Sequence, residues 1–155
     1  MPVDDSVRAH KGDTILCLNS IMKFVATGED TNNGFAITEA LHTAASDPPP
    51  HVHEHEDEAV YVLEGRMEAT IGGITLSAGQ GELIFLPRGV PHSLHTASDE
   101  SRVLYLITPA GFENYFAELG EKVAAGSALP EPTAPDVERI IRTAAKYGCT
   151  ILPPS

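Results

Sequence analysis

A chain of 155 residues, 42% of them hydrophobic, is long enough to bury a core as one domain and too apolar to be disordered. Its 22 acidic and 10 singly scattered basic residues leave a net charge of −12, a surface that repels nucleic-acid backbones and anionic membranes. No apolar run reaches the roughly 18–20 residues of a membrane span, and the N-terminus carries no signal-peptide core. Cys17 and Cys149 are too few for a disulfide framework, so a cytoplasmic protein with two incidental thiols is expected.

In chain order, residues Met1–Lys11 read as an arm that lacks order unless it packs on a partner. TILCLNSIMKFVATG and GFAITEALHTAA read as strands flanking the turn GEDTNNG. AVYVLEG is a strand ending at Gly65. RMEATIGGITLSAGQ is a hairpin folded at Gly72-Gly73, since polar and apolar residues alternate on both sides of that pair. GELIFLPRG is a strand stopped by Pro87, and HSLHTAS and SRVLYLITP pair around Asp99-Glu100. Short strands at such even spacing, with no helical pattern between them, indicate an all-β sandwich or barrel.

The last third differs. In GFENYFAELGEKVAAG, Phe112, Tyr115, Phe116 and Leu119 recur at helical spacing and predict an amphipathic helix. After the linker EPTAP, PDVERIIRTAAKYG predicts a second helix from Pro135 to Gly148. The ILPPS tail reads like the N-terminal arm. One domain over 1–155 is expected, with a barrel over about 13–110 and a helical segment over about 111–148.

Chemistry concentrates in PPPHVHEHEDEAVYVLEG. His51 and His53 are one residue apart, so on an extended segment they share a face. Glu58 opens the following strand, and His92 behind Pro91 supplies a third imidazole from a distant strand. Three neutral nitrogens and one carboxylate suit a divalent transition metal, with coordination positions left open for a substrate or O₂. A frame shifted to His53, His55 and Glu58 is conceivable. His55 is read as a rim residue, Glu54, Glu56 and Asp57 as a solvated acidic lip, and His95 as exterior; His42 and His10 carry no signal. Met22, Phe24, Ile37, Glu39, Tyr61, Met67, Phe85 and Tyr105 lie on strands that could line a pocket, but alternation does not say which face of each strand points inward.

These residues resemble the cupins, small double-stranded β-helix (jelly-roll) barrels. The first cupin motif, G-x5-H-x-H-x(3,4)-E-x6-G, is matched by His51, His53, Glu58 and Gly65; Ala45 stands where its opening glycine belongs. The second, G-x5-P-x-G-x2-H-x3-N, is matched by Gly81, Pro87, Gly89 and His92, with Thr96 in place of asparagine. Residues 108–113, Thr-Pro-Ala-Gly-Phe-Glu, resemble the end of quercetin-dioxygenase-like members, where the last strand runs into a helix.

The resemblance implies an all-β jelly-roll cupin barrel with C-terminal helices. It implies one divalent metal ion (Fe, Ni, Mn, Co or Zn) on His51, His53, Glu58 and His92. The activity implied is that of a quercetinase-like dioxygenase, with Glu58 as ligand and base for an enolic or phenolic substrate and O₂ as co-substrate. A metal-anchored binding module without catalysis and an oxygen-independent isomerase or lyase use the same residues. A homodimer is also implied, for which TILCLNSIMKF is a suitable edge strand.

Overall fold

The computed structural model describes residues 7–154. Alternating side chains lay down strands β1 (Thr14–Cys17), β2 (Ser20–Ala26), β3 (Ala36–His42), β4 (His51–His53), β5 (Asp57–Glu64) and β6 (Arg66–Ile71). They continue as β7 (Ile74–Gly79), β8 (Leu83–Leu86), β9 (His92–Thr96) and β10 (Ser101–Thr108). Helix α1 (Glu113–Leu119), β11 (Glu121–Lys122), α2 (Val137–Lys146) and β12 (Cys149–Ile151) complete the chain. The larger sheet runs β11-β1-β2-β3-β10-β5-β8 and the smaller β12-β4-β9-β6-β7, with every pairing antiparallel. This is the expected jelly-roll barrel. No helix among the described residues is long and apolar enough to cross a membrane.

The inner faces make the core. Val60 and Val62 of β5, Val103 and Ile107 of β10, Phe24 of β2 and Met67 of β6 are buried, each such burial contributing about 1.5–3 kcal/mol. Period-two alternation turns their neighbours outward: Tyr61, Phe85, Leu83 and Leu106 are exposed, and Ile37 and Glu39 are only half-buried. Of the residues that could have lined a pocket, Met22 and Tyr105 do so; Phe24 and Met67 are packed in the core away from it.

Several elements differ from expectation. The first predicted strand is a hairpin, β1 and β2, folded at Leu18-Asn19, which hold φ of 52° and 61°. Leucine is rarely found in that region, and so gave no turn signal. Asn19 is fixed by its side chain, which donates to Ala45 O and Thr133 O and accepts from Thr133 N. Helix α1 ends seven residues in, at Gly120, because the chain there closes on β1: a Cβ on Gly120 would sit 2.9 Å from Ile15 Cδ1. Residues 121–122 then pair with Ile15 and Leu16, covering the edge assigned above to a dimer contact.

Helix α2 starts after Asp136, whose carboxylate accepts from Arg139 N–H, rather than at Pro135. The C-terminal tail is not loose: β12 pairs with β4, and Leu152 N–H donates to Pro50 O. At the other end Ala9 is buried and donates to Asn114 Oδ1; the rest of that arm, residues 1–6, lies outside the described residues. Both cysteines are free and buried, and burial pushes each thiol up to about 12, so they are inert.

Candidate metal centre

The prolines at 48–50 deliver an extended chain into β4, and alternation points His51 and His53 inward with the half-buried Val52 between them. His51 lies directly across from His92, the first residue of β9. Glu58 enters from β5 in the opposite sheet, on the inward register that Val60 and Val62 continue. The two sheets thus meet at these four side chains, all buried, with one ligand-type atom from each lying within 4.8 Å of the others. It is the only such group among the described residues.

Hydrogen-bond partners orient the rings. His51 Nδ1–H donates to Pro49 O at 2.8 Å, which leaves the Nε2 lone pair facing inward. His53 Nδ1 lies 3.3 Å from Glu56 Oε2, and its Nε2 lies 3.1 Å from Glu58 Oε2. His92 Nε2 is 3.9 Å from the same Glu58 oxygen. The Phe112 ring packs edge-on against His53, with centroids 4.4 Å apart. Gly89 N–H donates to His53 O, tying the two motifs together at the backbone.

Charge follows from burial and neighbours. Burial, and then His92 alongside, push His51 down to about 4; burial also lowers His92. Burial opposes a charge on His53 as well, but Glu56 and Glu58 overcome it and raise that ring to about 9. Burial pushes Glu58 up, yet its contact with His53 and the positive charge of the imidazoles bring the carboxyl net below its usual value. The contacts with Glu56 and Glu58 thus favour the protonated form of His53 in the cluster on its own.

The donor set fits a cation. His92 Nε2 is buried and makes no hydrogen bond, and the buried Glu58 Oε2, His53 Nδ1 and Glu56 Oε2 meet only the ion-pair contacts described above. Such a concentration of buried nitrogens and carboxylate oxygens, with ion-pair contacts to one another and no well-formed hydrogen bonds, is unusual in a folded interior, where polar groups find protein or water partners. A divalent ion would satisfy the inward-facing ones and displace the His53 proton. The cluster could therefore hold a metal ion.

The acidic lip divides. Glu54 and His55 are exposed, as expected. Asp57 is clamped: Arg88 N–H donates to its Oδ1 at 2.9 Å and the guanidinium to its Oδ2. Glu56 overturns its reading as a solvated residue, because the turn after His53 folds it back, buried, onto that ring. Nothing in its polar neighbourhood signals burial; only the i, i+3 spacing to His53 hints at it.

His42 also departs from expectation. It is buried, hydrogen-bonded to Tyr105, and lines the same cavity as the cluster. His95 is exterior and pairs with Asp47, whose other oxygen accepts from Thr96 N–H and Oγ1. Thr96 is thereby buried and satisfied where the motif carries asparagine.

Residues 38–108 match the family model of the Cupin domain. The chain belongs to the cupin superfamily. This cupin is 24% identical over 144 residues, 93% of its length, to quercetin 2,3-dioxygenase of Bacillus subtilis (strain 168), of which it covers 43%. It spans about half or less of the length of the curated relatives it matches first. Among solved structures, ectoine synthase from P. lautus is similar with TM-score 0.55 and 24% identity, covering 86% of this chain and 100% of that one. KdgF from Halomonas sp. also gives TM-score 0.55, at 21% identity, covering 61% and 83%. The structural likenesses concern the fold.

Proposed function

We propose that this cupin is a metal-dependent dioxygenase of an enolic or phenolic small molecule, holding one divalent transition metal (Fe, Ni, Mn, Co or Zn) on His51, His53, Glu58 and His92. The observation that carries the reading is the buried set of three imidazoles and a carboxylate converging from both sheets, one ligand-type atom of each within 4.8 Å of the others. The weak overall similarity to a quercetin dioxygenase supports the choice of chemistry. When bound, such an ion supplies Lewis acidity at an enolate oxygen and the means of oxidising it with O₂.

The chain's own residues do the rest. Glu58, buried, ionised and set in the cluster, is the base that takes the enol proton. His51 is held in one tautomer by Pro49 O, and Glu56 sets the tilt of His53. Met22, Leu94, Phe112 and Phe116 wall the cavity against water, which keeps those electrostatic interactions strong. We further propose a homodimer in the cytoplasm. With the β1 edge covered, its contact is the uncharged outer patch of Tyr61, Leu83, Phe85 and Leu106, where two copies of an acidic chain can meet without opposing charges. Light scattering at 16.5 kDa would rule the dimer out.

Oxygen uptake by protein reconstituted with each metal, against flavonols, enediols and β-diketones, tests the activity. Uptake with one class, lost in Glu58→Gln while metal stays bound, is the expected result. Silence across the panel with metal bound would overturn the dioxygenase and leave a metal-anchored binding protein or an oxygen-independent enzyme.

A further inference from the structure

A groove runs along the seam where the C-terminal segment meets the barrel. Val137, Ile140, Ile141 and Ile151 line it from the C-terminal segment, and Leu18 and residues 45–50 from the barrel. Val137 and Ile141, one turn apart on α2, are 56% and 47% exposed there. The groove measures about 580 Å³, within the roughly 300–1,000 Å³ of ligand pockets. It shares Leu18, Ser46, Pro48, Pro49 and Ile151 with the cavity of the histidine cluster as a common wall. That cavity has only about 50 Å³, space for about three to five waters at about 10–15 Å³ each. It admits a head group and no more, so the body of any substrate that reaches the cluster lies outside it.

The groove offers little to a polar ligand. Among the described residues its polar side chains are Asn19, Ser46 and Asp47, and all three are engaged. The Asn19 amide bonds Ala45 O and the Thr133 backbone. Ser46 Oγ–H donates to Asn19 O, and the same oxygen accepts from Thr43 N–H. Asp47, the one charged residue of the lining, accepts from Thr96 N–H and Oγ1–H and meets the His95 ring. Six of the sixteen lining residues are prolines, which carry no N–H. No aromatic side chain lines the groove, so a planar ring finds no stacking partner. A polyhydroxylated flavonol would bury its hydroxyls there unpaired, and an extended peptide its N–H and C=O groups. An aliphatic chain incurs neither cost.

We propose, resting on the metal-dependent reading above, that the substrate is an amphiphile whose acidic head reaches the cluster and whose unhydroxylated aliphatic chain lies in the groove along α2. The cluster then selects the head and the groove selects the chain, which sets this cupin apart from its quercetinase relatives.

Calorimetric titration of the Co(II)-loaded protein with acetohydroxamate and octanohydroxamate tests this. The two probes share a metal-binding head and differ by a chain of methylenes. Each buried methylene is worth about 4-fold, so the longer probe binds on the order of 50-fold tighter even with part of its chain exposed. Val137→Asn combined with Ile141→Asn, both at exposed positions, cuts that ratio by about 10-fold. Ile74→Asn, exposed on β7 away from the groove, leaves it unchanged. A ratio within about 3-fold of unity, less than one buried methylene, overturns the groove as the seat of a chain. A full ratio kept in the double variant overturns its location. A ratio near unity, with the double variant turning a wild-type dimer into a monomer by light scattering, assigns the groove to a second copy instead. Co(II) bound with both hydroxamates silent overturns the amphiphile and leaves the metal site standing. Failure to bind Co(II) at all sinks the metal-dependent reading itself.

Discussion

The two ends of the barrel interior are built by the same strands and differ in one respect. At one end β5 turns Val60 and Val62 inward, β10 Val103, and β6 Met67 and Ala69; all are buried, apolar and satisfied by packing. A few residues along, the same inward register carries Glu58 on β5 and His92 on β9, joined by His51 and His53 of β4. Burial is equal at both ends, but polar atoms at the second are left without partners. Packing makes the first end stable by itself, while the second is stable only in so far as something else completes it.

The comparison breaks if substitutions at the two ends behave alike. Met67→Ala should cost about 2–5 kcal/mol in urea unfolding through the cavity it leaves. His92→Leu should leave the metal-free protein as stable or more so, because it removes buried unpaired nitrogens, while metal binding is lost. Equal destabilisation by both would erase the distinction.

Acid gives the next effect. Burial holds His42 down to about 4, against its ordinary 6.5, although Asp47 nearby favours the charge. The unfolded chain therefore takes up this proton first, so stability is full above about pH 6.5 and is lost as pH falls towards 4, by on the order of 3 kcal/mol at most. Unfolding midpoints measured against pH on metal-free protein should show that slope, and His42→Gln should reduce it, with His51, also held down to about 4, and His92 supplying part of the remainder; an equal slope in the variant would assign it elsewhere.

Glu56→Gln sharpens the comparison at the cluster itself. It should lower metal affinity by about 10- to 100-fold, read by chelator competition, while barely moving the metal-free unfolding midpoint. An affinity within a few-fold of wild type would return Glu56 to the rim. The smallest effect belongs to the support of β12. Asp136→Ala removes the α2 cap and should cost about 1 kcal/mol, with faster amide exchange over 149–151 as its local signature.

Much of this was legible from residue types. The strands follow from alternation, the Gly72-Gly73 hairpin from its turn residues, which hold φ of 55° and 85°, and the four cluster residues from their spacing together with the resemblance to the cupin motifs. What stayed hidden depends on long-range packing. Glu56 and His42 are polar residues in polar or ambiguous surroundings, and only the closed barrel shows both as buried. The Leu18-Asn19 turn uses a leucine against its preference, held by Asn19 contacts as remote as Thr133. Strand β12 is three residues long, too short for periodicity to register, and exists because β4 offers it an open side.

That last pairing has a consequence for how the protein is made. Cys149 lies opposite His53, and the two are separated by about a hundred residues of intervening chain. At about 5–20 residues per second, a ribosome needs on the order of 5–20 s to supply the second after the first. Throughout that interval the side of β4 that β12 covers in the finished barrel has no strand of its own chain to pair with, an open edge of the kind that invites pairing with another chain.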